Sequence, residues 1–137
     1  MKTKEHLVLA KYLEVEPGEL REGRDEYTFT LGNKEYLILL DEEAESRTAE
    51  AIKESLWAFA PSFLSSYMPL DEKSIGLIQQ SCESCNDAMI QLVGNRLDEV
   101  VNDAIACDGR GHFLSHYDGH EIEVEHDGVD YYIYRTN

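Results

Sequence analysis

The segment from Tyr27 to Leu40 constrains the fold of this chain more than any other. Tyr27, Phe29 and Leu31 alternate with Thr28 and Thr30, and Gly32-Asn33 then leads into Tyr36-Leu37-Ile38-Leu39-Leu40. A period of two sends successive side chains to opposite faces of a strand, and two β-rich runs around a Gly-Asn link read as a hairpin. The second run is apolar on both faces, which makes it the more buried strand. With 42% hydrophobic residues the chain can fill one core, and at 137 residues a single domain spanning 1–137 is expected.

Helical signals surround this hairpin. Leu7 to Leu13 holds good helix formers, and Pro17-Gly18 breaks the chain after it. Asp41 is placed to cap a helix whose first turn carries Glu42 and Glu43, where the helix dipole favours acids. Ala49, Ile52, Leu56 and Phe59 continue it at helical spacing, and Pro61 ends it or starts a short helix over Ser62 to Tyr67. The clearest helix is expected from Leu70 to Val93, with Ile75, Ile78, Cys82, Cys85, Met89 and Leu92 as its apolar seam and Gly94 as its cap. Another follows through Leu97, Val101, Ala104 and Ile105 to Gly109.

The tail changes period. His112 to Tyr117, Glu121 to Glu125 and Val129 to Arg135 read as three strands, turned at Asp118-Gly119 and Asp127-Gly128. The class is α+β: an N-terminal β-hairpin, a helical middle and a C-terminal three-stranded antiparallel meander. The two β regions can join in one sheet with the helices on one face.

Charge limits what the chain binds. It carries 28 Asp and Glu against 12 Lys and Arg, a formal net charge of −16. Direct binding to nucleic acid needs clustered Lys and Arg, and anionic membrane surfaces need the same, so both are disfavoured. No stretch approaches the roughly 18 apolar residues of a membrane helix. Met1-Lys2-Thr3-Lys4-Glu5 has no apolar run after it that reads as a secretory signal. Three cysteines, an odd count, read as reduced thiols in a cytosol. A charge of magnitude roughly 2–8 is enough to keep a small domain soluble. The excess here admits two readings, a plain solvated surface or a carboxylate array that imitates DNA phosphates, and it suits a protein partner with a basic surface.

Several constellations stand beside plain structural readings. Cys82-Glu83-Ser84-Cys85 is a C-x-x-C, but the spacing puts both sulfurs on the apolar seam in mid-helix, where core packing is the stronger reading. Cys107, His112 and His116 form a low-probability metal set, and no cofactor is called for. Asp108-Gly109-Arg110-Gly111-His112-Phe113-Leu114-Ser115 is the most motif-like stretch. There Arg110 either clamps an anion or pairs with Asp108 or Asp118 to fix the loop, the second being favoured. Asp108, Arg110, His112, Ser115, His116 and Asp118 are the ligand candidates. Ser115, His116 and Asp118 do not make a catalytic triad, because neighbours on a strand point to opposite faces. On the last strand Tyr132 and Tyr134 share one face and Tyr131 shares the other with Val129 and Ile133. Tyr132 and Tyr134, with Glu121, Glu123 and Glu125, are the partner-binding candidates.

Taken together, Glu35 to Ala44, Ser55-Leu56-Trp57-Ala58-Phe59 with Ser62-Phe63-Leu64, Asp108 to Ser115 with Tyr117-Asp118-Gly119, and Tyr132 to Asn137 have a familiar look. The set resembles a family of small uncharacterised acidic proteins encoded by bacteriophages and other mobile elements. The resemblance implies a cytoplasmic setting in a bacterial host and carries no catalytic roles with it. The leading expectation is a non-enzymatic acidic binding module that inhibits a host or defence protein by phosphate mimicry. Two alternatives stand beside it: a small enzyme or ligand binder centred on the Asp108–Ser115 loop, and an assembly homodimer.

Overall fold

The strand that is apolar on both faces is the middle of the sheet. This is seen in a computed structural model that describes residues 3–137. The first two residues of the segment read against a secretory signal, Met1-Lys2, lie outside the described residues. In chain order the elements are α1 (Thr3–Leu13), β1 (Arg21–Glu22), β2 (Thr28–Leu31), β3 (Lys34–Leu40) and α2 (Asp41–Glu54). Then come α3 (Pro61–Leu64), α4 (Glu72–Gln79), α5 (Asn86–Val93) and α6 (Leu97–Asp108). Last are α7 (Arg110–Leu114), β4 (Ile122–His126) and β5 (Val129–Arg135). Helices dominate beside one antiparallel sheet, so the chain is α+β as its patterning implies. The described residues group into two compact units, one of residues 3–48 and 110–137, the other Ala49–Gly109.

The first unit holds the sheet, in the order β1-β2-β3-β5-β4. The two β regions therefore do join, through the β3–β5 ladder, where Leu37 faces Tyr134, Ile38 faces Ile133 and Leu39 faces Tyr132. Gly32-Asn33 makes the two-residue turn between β2 and β3. Gly32 alone of the pair has positive φ, at 63°, the conformation a type II′ hairpin needs at its first central residue. Asp127-Gly128 turns β4 into β5.

Both faces of the sheet are covered, not one. On one side Val8, Leu9 and Ala10 of α1 pack with Phe29, Tyr36, Ile38, Tyr131 and Ile133. On the other, Ala44 of α2 and Leu114 of α7 pack with Leu37, Leu39 and Tyr134. Strand register makes this two-sided core possible, because residues of alternating parity on β3 and β5 feed opposite layers.

The segment expected as the first strand of a C-terminal meander is instead α7 and the turn after it. Ser115 N–H bonds back to Gly111 O at 2.8 Å and Gly119 N–H to Ser115 O at 3.0 Å. These consecutive i→i+4 contacts coil the chain where a strand would run straight. A helix of five residues is too short for its period to be told from alternation.

The second unit buries Ile52, Leu56, Leu64, Ile75, Met89, Val93, Val100 and Ala104. The long helix expected over Leu70 to Val93 is broken. Gln80 and Ser81 N–H groups bond three residues back, to Leu77 and Ile78 oxygens. Cys82 then takes φ of 53°, which ends α4. Cys82–Cys85 forms a 3-10 turn and α5 begins after it. Asn86 anchors that start: its Nδ2 donates to Lys53 O at 2.8 Å and its Oδ1 accepts from Trp57 N–H at 3.1 Å.

Tyr67 donates its hydroxyl to Asp103, and Arg96 lies 5.0 Å from its ring centroid. The hydrogen bond to Asp103, then burial, then the charge of Asp103 push the Tyr67 phenol from 10.0 up to about 12. The folded state thus holds this proton more tightly than the unfolded chain. The stabilisation is complete below pH 10.0 and is lost as pH rises through about 12. Urea titrations of wild type and Tyr67→Phe across that window should show the gap between them shrinking as pH rises. A constant gap would show that Tyr67 contributes nothing through its proton.

Candidate functional site

Arg110 opens α7, and its side chain is only 10% exposed. Its Nε donates to Glu121 Oε1 at 2.8 Å. Its Nη1 reaches Asp41 Oδ1 at 2.8 Å and Glu45 Oε1 at 3.1 Å, both on α2. The guanidinium carbon lies 4.6 Å from the Tyr132 ring centroid. Burial works against this charge, but the hydrogen bonds to Glu121 and Asp41 outweigh it and hold the guanidinium pKa above its ordinary value. Glu121 also accepts the hydroxyl of Tyr134. Burial first, then that bond, raises the Tyr134 phenol.

Arg110 is thus paired within the fold, but not with the partners its neighbourhood in sequence offers. Its carboxylates are Asp41, Glu45 and Glu121, not Asp108 or Asp118. Asp41, read as a helix cap, turns its carboxylate to Arg110. Glu43 makes the capping reach instead, accepting from Leu40 N–H at 2.9 Å.

Gly111 and Ser115 of the motif are also packed into the fold. Gly111 is buried because its backbone runs against the turn before β4. An added Cβ would collide with the Gly119 carbonyl oxygen and come within 2.8 Å of the His120 carbonyl carbon. Ser115 is 3% exposed, with its hydroxyl 2.8 Å from Asp118 Oδ1 and 2.7 Å from Arg135 O. Asp118 also accepts from His120 N–H at 3.0 Å. That backbone bond, then the Ser115 hydroxyl, draws the Asp118 carboxyl below the usual range.

Among the ligand candidates, Ser115 and Asp118 meet through their hydrogen bond. Asp108, His112 and His116 are exposed, and among the described residues no hydrogen bond joins His116 to Ser115. His112 only meets the edge of Phe113, with centroids 4.9 Å apart. Among the described residues no group of three His, Cys, Asp or Glu side chains could hold a metal ion, so Cys107, His112 and His116 make no such site. A cavity of about 200 Å³ has Tyr12, Tyr36, Tyr117 and Arg135 in its wall, and Asp118 is the one ligand candidate that lines it.

The partner candidates divide as well. Tyr134 is fully buried and offers no contact surface. Tyr132 is half-buried, and Glu121, Glu123 and Glu125 are exposed beside it. Glu123 lies directly across from Tyr132, and Glu125 directly across from Asp130. Burial, then the charges of Glu123, Asp41 and Asp130, raises the Tyr132 phenol. Sequence reasoning missed Asp130 and Glu45, which become members of this face only through strand register and helix packing. No known protein family, characterised protein or solved structure matches the chain.

Substitutions at Arg110, Glu121 and Gly111 test this arrangement. Arg110→Met should cost about 2–3 kcal/mol, less than a fully buried pair because Asp41 and Glu45 reach solvent, and Glu121→Gln should restore part of it. Denaturant midpoints read both effects. Gly111→Ala should cost more than about 2 kcal/mol, since backbone must move to admit the methyl group. Gly18→Ala, with nothing within 4 Å of the new Cβ, is the control and should stay within about 0.5 kcal/mol of wild type.

Proposed function

We propose that this chain is an acidic protein-binding module of a phage or other mobile element, working in the cytoplasm of a bacterial host. Its partner is a host or defence protein with a basic, DNA-binding surface. The carboxylates of β4 and β5 occupy that surface in place of DNA phosphates. The observation that carries this reading is the direct cross-strand opposition of Glu125 and Asp130. Like charges facing each other across a ladder destabilise a sheet. Among the described residues no Lys or Arg forms an ion pair with Glu123, Glu125 or Asp130. An uncompensated cost on a folded surface fits a role outside the fold.

The spacing supports the same reading. Glu123 and Glu125 follow one another at i, i+2, so they stand ~6.8 Å apart along the sheet edge, with Glu121 before them engaged by Arg110. One strand of duplex DNA carries a phosphate every ~3.4 Å of axis. The row thus has about half the linear charge of one DNA strand, and Asp130 adds a second column beside it. The same acids on an edge strand discourage pairing with a second copy, which weighs against the homodimer.

The test is competition. Immobilised protein should capture DNA-binding proteins from a bacterial lysate at about 0.05 M salt, release them near 0.5 M, and lose them to added duplex DNA. The variant Glu123→Lys/Glu125→Lys/Asp130→Lys should capture at least roughly tenfold less. Capture that ignores both duplex DNA and the variant would overturn the proposal.

A further inference from the structure

The C-x-x-C sits differently from its sequence reading. The pattern places Cys82 and Cys85 on one buried seam in mid-helix. In the fold Cys82 is exposed and Cys85 is buried, and the two bound a 3-10 turn that leads directly into α5. We propose that Cys82 and Cys85 form a redox-active dithiol that closes reversibly to an intramolecular disulfide.

Three observations combine. First, a 3-10 turn has about three residues per turn and about 2.0 Å rise, so positions i and i+3 eclipse with Cα atoms about 6 Å apart. That lies inside the range of about 4.4–6.8 Å that a disulfide spans. The Cα spacing therefore permits a disulfide, and closure draws the two sulfurs together across the turn. Second, the exposures differ in the way a two-step exchange requires. Cys82 is reachable from solvent, while Cys85, 6% exposed, is screened from external reagents but one turn from its partner. Third, Cys82 is held at φ of 53°, a conformation rare for a side-chain-bearing residue. Asn86, the next residue after Cys85, is clamped to Lys53 and Trp57, so the turn is fixed at its far end too.

The chemistry balances with a low-molecular-weight disulfide, such as glutathione disulfide, as oxidant. The Cys82 thiolate attacks one sulfur of that disulfide, forming a mixed disulfide and releasing one thiolate. The Cys85 thiolate then attacks the Cys82 sulfur and expels the second. Two protein thiols lose two electrons to the oxidant, and the two protons they give up end on its two released thiols. Excess thiol reverses both steps. The turn then exists in two covalent states, open as a dithiol and locked as a ring.

Cys107, the remaining thiol, is exposed and lies outside this turn, so Cys107→Ser gives a clean background. That protein, folded and treated with glutathione disulfide, should lose two titratable thiols and about 2 Da, without a bound glutathione. Dithiothreitol should return both. Adding Cys85→Ala should trap one glutathione on Cys82, and adding Cys82→Ser should leave the Cys85 thiol unreacted. The proposal is overturned if the Cys107→Ser protein accumulates a stable mixed disulfide while Cys85 stays free. It is also overturned if neither thiol of the turn reacts under conditions that oxidise Cys107 in the wild type. Circular dichroism before and after treatment confirms that the reaction occurs in the folded chain.

Discussion

Arg110 reconciles the charge of this chain with its fold. Asp41 and Glu45 come from α2 and Glu121 from the entry to β4, and all three aim at one guanidinium. Without a cation among them, packing the start of α2 over Leu37, Leu39 and Tyr134 would force like charges together. A guanidinium is suited to the place because its fixed fork serves donors in several directions while its flat face rests on an aromatic ring. An ammonium on a flexible stem has no such plane to lay on Tyr132. Ala44 lets α2 close on the sheet, and Arg110 neutralises the acids that approach brings with it. The motif-like stretch around Arg110 is therefore a part of the scaffold, with Gly111 and Ser115 seating the same turn from other sides.

Much of the sheet was legible in the sequence, and for a physical reason. Strand alternation and two-residue turns are local signals, so β2, β3, β4 and β5 and the turns at Gly32-Asn33 and Asp127-Gly128 can be read from neighbouring residues. The two-faced burial of β3 was legible too, because Tyr36 to Leu40 offers no polar side. Short helices and breaks were not. The coil at Arg110–Leu114 is one turn long, and its apolar residues satisfy a strand pattern as well as a helical one. The break at Gln80 to Cys82 has no Gly or Pro to announce it. A seam from Ile75 to Leu92 reads as continuous even though one residue turns left-handed inside it. The partners of Arg110 lie 65 and 69 residues before it on α2 and 11 after it, and only tertiary packing selects them over the nearer Asp108 and Asp118.

The acids of the chain fall into two groups once the fold is known. Some serve the structure: Glu43 at the start of α2, Asp41, Glu45 and Glu121 around Arg110, Asp118 in its turn, and Asp103 under Tyr67. Glu123, Glu125 and Asp130 do none of these things. They stand on two strands joined by a tight turn, and their spacing is set by the ladder, not by side-chain preference. That matters for recognition. A flexible acidic tail must be ordered when it binds, at a free-energy cost for every residue fixed, whereas carboxylates on a paired strand are already in place. The half-density of the row relative to a DNA strand sets a further limit. It matches a few phosphates and displays no base edges. A partner that reads sequence through base contacts would find its backbone-positioning groups satisfied and its reading groups empty. Phosphate contacts are the part of DNA recognition shared by proteins of different sequence preference. On the proposed reading, a surface that imitates only those contacts would engage a class of basic clefts, with steric fit around Tyr132 and the β4 edge left to choose among them.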